Sequence, residues 1–249
     1  VKIGAACIFP WYFLFLYPPG ETAILIFISG KPWKKQKIRD RMKENNGVPK
    51  GVLMRILHLD SHNFTGKLQR PEADEIHLWT YRTDYPKLLR EESHAFLSRL
   101  LCAYTGIPET ELVFGKGTHG KPYLKTGAES PTLHFNLSHA GTCAVIAFCT
   151  ASPVGVDVEH TARRISLEKV AEKMFHNGET EVLKRLPEEE KAEWFFRCWT
   201  RAEAFLKGIG TGLSTSLGSK EAQKEMSEWT LETFLLTDNY ICSIAYRNS

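Results

Sequence analysis

Two short motifs in the C-terminal half constrain the fold of this chain more than any other feature. The first, Gly-Val-Asp-Val-Glu at 155–159, alternates apolar and acidic residues with the period of a β-strand. Its valines are predicted to face a core, and Asp157 and Glu159 to lie side by side on the opposite face. Two neighbouring carboxylates repel each other unless a cation lies between them. The motif therefore predicts either a solvated strand edge or one side of a cation site.

The second motif, Trp-Thr-Arg-Ala-Glu-Ala-Phe-Leu-Lys at 199–207, predicts a helix on which Glu203 and Lys207 share one face. Aromatic residues of the helix itself occupy much of its circumference, so the helix is predicted to be largely buried. Burying a charged pair there is costly without a further partner. Magnesium favours a few carboxylates together with water and substrate phosphates. Asp157, Glu159 and Glu203 are therefore the predicted Mg²⁺ ligands, and Lys207 is predicted to neutralise phosphate charge.

Charge and cysteine content limit the possible partners. The chain has 249 residues, a formal net charge of +3 and six cysteines. This charge is too small to predict binding to nucleic acid, but it suits a phosphate site or an acidic partner. No cysteine pair has C-x-x-C spacing, so we expect buried thiols in a reducing compartment and a cytoplasmic location.

The first 74 residues differ in character from the rest. An apolar, aromatic run over 3–17 is broken by Pro-Pro-Gly-Glu at 18–21, and a basic stretch follows at 31–43. The break leaves neither apolar piece long enough for a membrane span. A membrane-associated or targeting segment, a small structured extension and an extension outside the functional fold all remain open. We favour the last and expect no membrane insertion.

Regular strand and helix patterns begin at residue 75. Strands and one helix come first, then a strand, helices and a final hairpin, which predicts an α+β protein with two similar halves at 75–153 and 154–249. Ser138 and His139 are predicted on a turn, and Gly208 is predicted to end the long helix. The predicted strands are at 76–81, 112–114, 133–136, 142–149, 154–159, 229–236 and 240–246, and the predicted helices are at 89–104, 167–175, 179–186 and 188–207.

Four motifs in order resemble those of one enzyme family. They are Gly-Lys-Pro at 120–122, Phe-Asn-Leu-Ser-His at 135–139, and the acidic and helical motifs described above. Over about residues 75–249 the chain resembles the Sfp-type 4′-phosphopantetheinyl transferases. The resemblance implies two pseudo-symmetric α/β halves with coenzyme A in the cleft between them. It also implies a Mg²⁺-dependent enzyme that moves the phosphopantetheine arm of coenzyme A to a serine of an apo carrier protein and releases 3′,5′-ADP.

The resemblance also assigns residue roles. Asp157, Glu159 and Glu203 resemble the acidic metal ligands, and Glu203 is the candidate for activating the carrier serine. Lys207 resembles the catalytic lysine near the pyrophosphate. The coenzyme A-binding candidates are Lys207 itself, Ser138 and His139 at the nucleotide phosphate end, and Lys121 and Pro122 beside the adenine.

The chain departs from the family pattern in three places. Ala202 stands where the family usually has lysine, the first half is shorter than usual before the long helix, and residues 1–74 match no family feature. These departures leave open an alternative, a non-catalytic homologue that binds coenzyme A or a carrier without turnover. An unrelated Mg²⁺-phosphate enzyme is a third reading, weakened because the sequence lacks a Walker loop. The expected partner is an acyl, peptidyl or aryl carrier protein, and the expected assembly is a monomer.

Overall fold

The fold consists of two sheet-containing halves that pack against each other. The computed structural model describes residues 27–28, 55–61, 64, 66–125, 132–175, 177–211, 224–237 and 239–247. The strands are β1 (Phe27–Ile28), β2 (Arg55–Asp60), β3 (Glu75–Arg82), β4 (Phe114–Lys116), β5 (Pro122–Leu124), β6 (His134–Ala140), β7 (Cys143–Cys149), β8 (Val154–His160), β9 (Trp229–Thr237) and β10 (Tyr240–Arg247). The helices are α1 (Leu89–Thr105), α2 (Leu167–Met174), α3 (Asn177–Arg185) and α4 (Glu188–Ile209). The predicted α+β class with two sheet-containing halves is confirmed.

The first half is built on a five-stranded sheet in the order β1-β2-β3-β7-β6. Its interior strand β7 is apolar at every position and completely buried, because it has a strand on each side and packed layers on both faces. Helix α1 covers one face with Phe96, Leu100 and Leu101, which pack against Trp79 and Phe148. A separate hairpin, β4-β5, carries the glycine-rich loop.

The predicted boundary at residue 75 falls inside this first half of the fold. Strand β2 pairs in parallel with β3, and Phe64 and Leu68 pack against the cluster that includes Trp79. The described end of the segment 1–74 therefore belongs to the same sheet and core as the residues that follow. The apolar run at 3–17 and the basic stretch at 31–43 lie outside the described residues.

The second half is a three-stranded antiparallel sheet, β8-β10-β9, covered on one face by α4. Phe195, Phe196 and Phe205 of α4 are fully buried, which matches the predicted apolar character of this helix. Helices α2 and α3 pack beside it through Ala171 and Leu183. None of the helices in the described ranges combines the length and apolar character needed to cross a membrane.

The alternation predicted for the acidic strand is confirmed. Val154, Val156 and Val158 enter the core that joins the two sheets. The intervening positions face α4, and an added Cβ at Gly155 would lie only 2.0 Å from the carbonyl oxygen of Ala204. Glycine at this position therefore lets β8 and α4 approach closely enough for their polar side chains to meet.

Two local predictions need correction. Ser138 and His139 lie on strand β6, because the β6–β7 ladder continues to the pair Ala140 and Cys143 and leaves only two residues for the turn. Gly141 supplies the positive φ, 56°, that such a tight turn requires. Helix α4 continues through Gly208 and ends at Gly210, where φ is 82°.

The reason for the longer helix is tertiary contact at Gly208. An added Cβ there would lie 2.5 Å from the ring of Trp229, so a glycine is needed inside the helix for packing. Its predicted role as a stop passes to Gly210, whose N–H bonds to the carbonyl of Leu206. The helix predicted at 179–186 begins two residues earlier, at Asn177.

Candidate active site

The centre of the candidate site is a hydrogen-bonded group of three side chains from three elements. Lys207 Nζ, on α4, lies 2.5 Å from Asp157 Oδ1 on β8. Ser138, on β6, donates its hydroxyl proton to the same carboxylate oxygen at 2.7 Å and accepts from Lys207 Nζ at 3.0 Å. The site therefore joins the two halves, since β6 belongs to the first sheet and β8 to the second.

Asp157 is a buried carboxylate with one oxygen left over. Only 4% of the residue is exposed, and Oδ2 has no hydrogen-bond partner among the described residues. Burial raises the pKa of Asp157, whereas the charge and hydrogen bond of Lys207 oppose that rise. An ionised carboxylate with a free oxygen at this depth favours a second positive group.

The other two predicted acidic ligands are electrostatically coupled to Asp157. Burial and then the Asp157 charge raise the pKa of Glu159 to about 7. The same two causes, in the same order, raise the pKa of Glu203, and the charge of Lys207 opposes them. Glu159 also forms an ion pair with Arg163. Glu159 and Glu203 are thus each repelled by the charge of Asp157, and Lys207 offsets part of that repulsion.

These residues fit a divalent cation by their chemistry, although their arrangement is not a ready ligand cage. Within the part of the chain that the structure describes, no group of three or more His, Cys, Asp or Glu residues is placed to hold a metal ion. Lys207 occupies Oδ1 of Asp157, and Arg163 is bound to Glu159. The free Oδ2 of Asp157, and the effect of the Asp157 charge on both Glu159 and Glu203, nevertheless match the oxygen-rich surroundings that Mg²⁺ favours.

His139 lies near basic side chains of α1, Arg90 and His94, which were not predicted from the sequence as part of the site. Partial burial lowers the pKa of His139, and the nearby positive charges of His94, Lys207 and Arg90 lower it further. Arg90 and His94 are four residues apart at the start of α1, and the ring of His94 donates to the Arg90 carbonyl at 2.6 Å. Their spacing on one helix face was the available signal. Together these groups suit a phosphate.

The glycine-rich loop meets the second half through Lys121. Its Nζ donates to the carbonyl oxygen of Val154 at 2.9 Å and to that of Gly208 at 2.8 Å. Burial lowers the pKa of Lys121 to about 8. Pro122, at the start of β5, is exposed. The ammonium group of Lys121 is thus directed at the junction of β8 and α4.

Asn136 is a second residue that the sequence reading left without a role. Its side-chain oxygen accepts from the backbone N–H of Val156 at 2.9 Å, and the residue is buried. Asn136 and Ser138 are two apart on β6 and so lie on the same strand face. The sequence signal was the alternation of polar residues at 134, 136 and 138 with the apolar Phe135 and Leu137.

The comparisons with known proteins cover both halves. Residues 153–245 match the model of the 4′-phosphopantetheinyl transferase superfamily. Residues 60–151 match a model described as 4′-phosphopantetheinyl transferase, N-terminal. The second match begins 15 residues before the predicted domain boundary at 75, where Phe64 and Leu68 already pack in the first-half core.

Individual relatives give the same result. The 4′-phosphopantetheinyl transferase HetI of Nostoc sp. is 28% identical over 208 residues, which cover 70% of this chain and 88% of HetI. The transferase psf-1 of Bacillus pumilus is 36% identical over 133 residues, covering 53% of this chain and 54% of psf-1. The L-aminoadipate-semialdehyde dehydrogenase-phosphopantetheinyl transferase of Homo sapiens is 25% identical over 209 residues, covering 72% of this chain and 67% of that protein.

The aligned part of this chain thus spans most of HetI but only about half the length of psf-1. The family predicted from the four motifs is confirmed by matches that follow each other in chain order through both halves. The chain belongs to the 4′-phosphopantetheinyl transferase superfamily.

Proposed function

We propose that this protein transfers the 4′-phosphopantetheine arm of coenzyme A to a serine hydroxyl of an apo carrier protein and releases 3′,5′-ADP. Family membership supports the reaction class. The observation that carries the proposal for this chain is the contact of Lys207 with the buried Asp157 carboxylate where the two halves meet. That contact places a cation and an acidic cluster side by side, as pyrophosphate chemistry requires.

The reaction exchanges one phosphorus–oxygen bond for another. The serine oxygen forms a bond to the β-phosphorus of coenzyme A, and the bond from that phosphorus to the bridging oxygen breaks. The bridging oxygen keeps the electron pair and leaves as part of 3′,5′-ADP. The serine proton passes to a base, for which Glu203 is the candidate, directly or through a water.

The raised pKa of Glu203 supports this role, because a carboxylate that binds a proton more strongly is a better base near neutral pH. Lys207 is proposed to stabilise the negative charge that develops on the bridging oxygen. For that role its ammonium group must direct at least one N–H donor at the pyrophosphate while another stays on Asp157. A lysine with three N–H donors and a side chain 30% exposed can make both contacts.

Asp157, Glu159 and Glu203 are the residues proposed to hold Mg²⁺. When bound, Mg²⁺ supplies positive charge to the pyrophosphate oxygens as negative charge builds there. The protein's own contribution is to present these carboxylates from β8 and α4, two elements that pack against each other. Arg163 competes for Glu159 and must release it for a three-carboxylate site.

The nucleotide end of coenzyme A is assigned to the polar and basic side chains around His139 in the first half. Ser138, His139 and Arg90 are proposed to contact its phosphates, and Pro122 with the backbone of Lys121 to border the adenine. The charges that act on His139 support this placement, since a neutral imidazole can donate one hydrogen bond to a phosphate while Arg90 supplies charge.

A cytoplasmic monomer acting on an acyl, peptidyl or aryl carrier protein completes the proposal. The five cysteines in the described residues are all free, which suits a reducing compartment. Fatty-acid, polyketide and peptide-synthetase carriers all offer the same serine chemistry, so all three classes are candidate substrates.

Intact-mass spectrometry of apo carriers incubated with coenzyme A and Mg²⁺ tests the proposal. The expected result is a mass gain equal to one phosphopantetheine arm on at least one carrier class. Asp157→Ala is expected to abolish the gain while leaving the circular dichroism spectrum near that of the wild type. Glu193→Ala, an exposed acid on the same helix as Glu203 and paired with Arg197, is the matched control and keeps activity. Coenzyme A binding without a mass gain on any carrier would refute the transferase proposal.

A further inference from the structure

Strand β8 has a free edge that the first half covers with side chains. Among the residues that the structure describes, β8 pairs only with β10 in the second sheet, so its other edge carries main-chain groups that no described strand bonds. Asn136 accepts from the N–H of Val156, and Lys121 donates to the carbonyl of Val154. Two side chains thus satisfy, from the other half, groups that a neighbouring strand would otherwise bond.

Lys121 also reaches the end of helix α4. Its Nζ lies 2.8 Å from the carbonyl oxygen of Gly208, which is in the last turn of the helix. Carbonyl groups in a last helical turn have no partner within the helix, and the negative end of the helix dipole attracts a cation. We call these two hydrogen bonds, to Val154 and to Gly208, the Lys121 bridge.

The stem of Lys121 is held as well as its end. An added Cβ at Gly210 would lie 3.4 Å from both Cβ and Cδ of Lys121, so the lysine stem passes directly beside this glycine. Both partners of Lys121 are close in sequence to the central ion pair: Gly208 immediately follows Lys207, and Val154 lies three residues before Asp157. The Lys121 bridge therefore links the two backbone segments that carry the central ion pair.

Binding of coenzyme A through the Lys121 ammonium group would compete with these two hydrogen bonds. An ammonium group has three N–H donors, and two of them are already directed at carbonyl oxygens. Moving Nζ onto a nucleotide would leave both carbonyls without this donor and would separate the end of α4 from the start of β8. The geometry thus favours a structural task for the ammonium group, while the backbone around Pro122 remains exposed to solvent.

We propose that Lys121 is a positioning residue, which holds the end of α4 against the start of β8 and so holds Lys207 against Asp157. Its effect on catalysis rests on the proposed transferase function, but the bridge itself does not. The role differs from that of a coenzyme A ligand, because a positioning residue governs how well the bound substrate reacts rather than how tightly it binds.

The kinetic test compares Lys121→Met, Lys121→Arg and the control Lys125→Met, an exposed lysine just beyond the same hairpin. Initial rates are measured against coenzyme A concentration at saturating carrier. Lys121→Met is expected to lower kcat by about 10- to 100-fold, the size of a small misplacement in an active site, with KM for coenzyme A unchanged. Lys121→Arg is expected to restore most of kcat, and Lys125→Met to match the wild type. A raised KM at unchanged kcat, or wild-type kinetics in Lys121→Met, would overturn the inference.

Two measurements test the bridge without using activity. In hydrogen exchange, the Gly210 amide, which bonds to Leu206, is expected to exchange faster in Lys121→Met than in the wild type. Unchanged exchange would overturn the inference. In reductive methylation of the wild-type protein, Lys121 is expected to react more slowly than Lys125 with or without coenzyme A. Protection that appears only when coenzyme A is added would also overturn it, and this measurement stands if Lys121→Met does not fold.

These readouts separate the two proposals. A wild-type protein that modifies no carrier refutes the transferase function, and exchange and methylation then still decide the bridge. A wild-type protein that modifies its carrier while Lys121→Met shows only a higher KM refutes the bridge and leaves the transferase function intact.

Discussion

Replacing Lys207 with methionine removes the ammonium group beside a buried carboxylate, and we expect a large loss of stability. Asp157 has a side chain 5% exposed, and Lys207 one 30% exposed. Removing one partner of a buried ion pair costs about 3–5 kcal/mol, because the remaining charge is left without compensation. The partial exposure of Lys207 points to the lower end, about 3 kcal/mol, or roughly a hundredfold in the unfolding equilibrium.

Urea unfolding followed by tryptophan fluorescence measures this cost, since the chain has six tryptophans. The control is Lys184→Met, which removes an exposed ion pair with Glu172 and is expected to leave the midpoint near that of the wild type. In the double variant Lys207→Met/Asp157→Asn the buried charge is gone, so part of the stability is expected to return. A wild-type midpoint for Lys207→Met, or additive effects in the double variant, would refute the assignment of Lys207 as the partner of Asp157.

Magnesium gives the same experiment a second readout. Without Lys207, Asp157 depends more on a cation, so Mg²⁺ is expected to raise the unfolding midpoint of Lys207→Met more than that of the wild type. Binding to the folded state alone stabilises it by about 2.7 kcal/mol at a ligand concentration one hundred times Kd. Lys207→Met/Asp157→Asn is expected to lose this response. A response that is equal in all three proteins would argue against Asp157 as a Mg²⁺ ligand.

Two further variants test the packing and the electrostatics of the second half. Glu232 is buried, accepts from the Tyr246 hydroxyl at 2.8 Å, and has its pKa raised above 4.5 by burial. Its contribution to stability is therefore present at low pH and lost as pH rises through its folded pKa, so Glu232→Gln is expected to flatten the fall in urea midpoint as pH rises above 4.5, and an unchanged slope would contradict this. Gly155→Ala places a Cβ 2.0 Å from the carbonyl oxygen of Ala204, so we expect α4 to shift, a loss of about 1–3 kcal/mol in urea unfolding and a lower transfer rate. Full stability and full activity in this variant would show that β8 and α4 do not approach so closely.

Regular periodicity allowed most of the fold to be predicted from sequence. The period of two in β8 gave the correct faces for its valines and acids, and the helical spacing from Leu89 to Tyr104 gave α1. These patterns repeat over several residues, and burial of the apolar face is what selects the observed structure. Four motifs in order were specific enough to predict the family, which is confirmed.

Contacts distant in sequence were harder to predict. Lys207 and Asp157 are 50 residues apart and Lys121 and Gly208 are 87 apart, so only the tertiary fold brings them together. The partners of Lys121 are main-chain carbonyls, which leave no trace in side-chain pattern. The pairing of β2 with β3 is a parallel contact across a long connection, and a lone six-residue strand gives no sign of it.

The structure accounts for part of two departures from the family pattern, the short first half and the unmatched segment 1–74. The first half contains β2, Phe64 and Leu68, so it extends further toward the N-terminus than residue 75. Arg90 and His94 of α1 supply positive charge beside His139, although the segment before this helix is short. Ala202 lies on α4 and supplies no charge, and the cations next to the acidic residues are Lys207 and Arg163.

The most direct test of the central claim is a single reaction in which both products are quantified. Wild-type protein, coenzyme A, Mg²⁺ and an apo carrier are predicted to yield holo carrier and 3′,5′-ADP in equal amounts, and Glu203→Ala is predicted to yield neither above background. Formation of 3′,5′-ADP without modified carrier, or full yields of both products from Glu203→Ala, would contradict the account of the site given above.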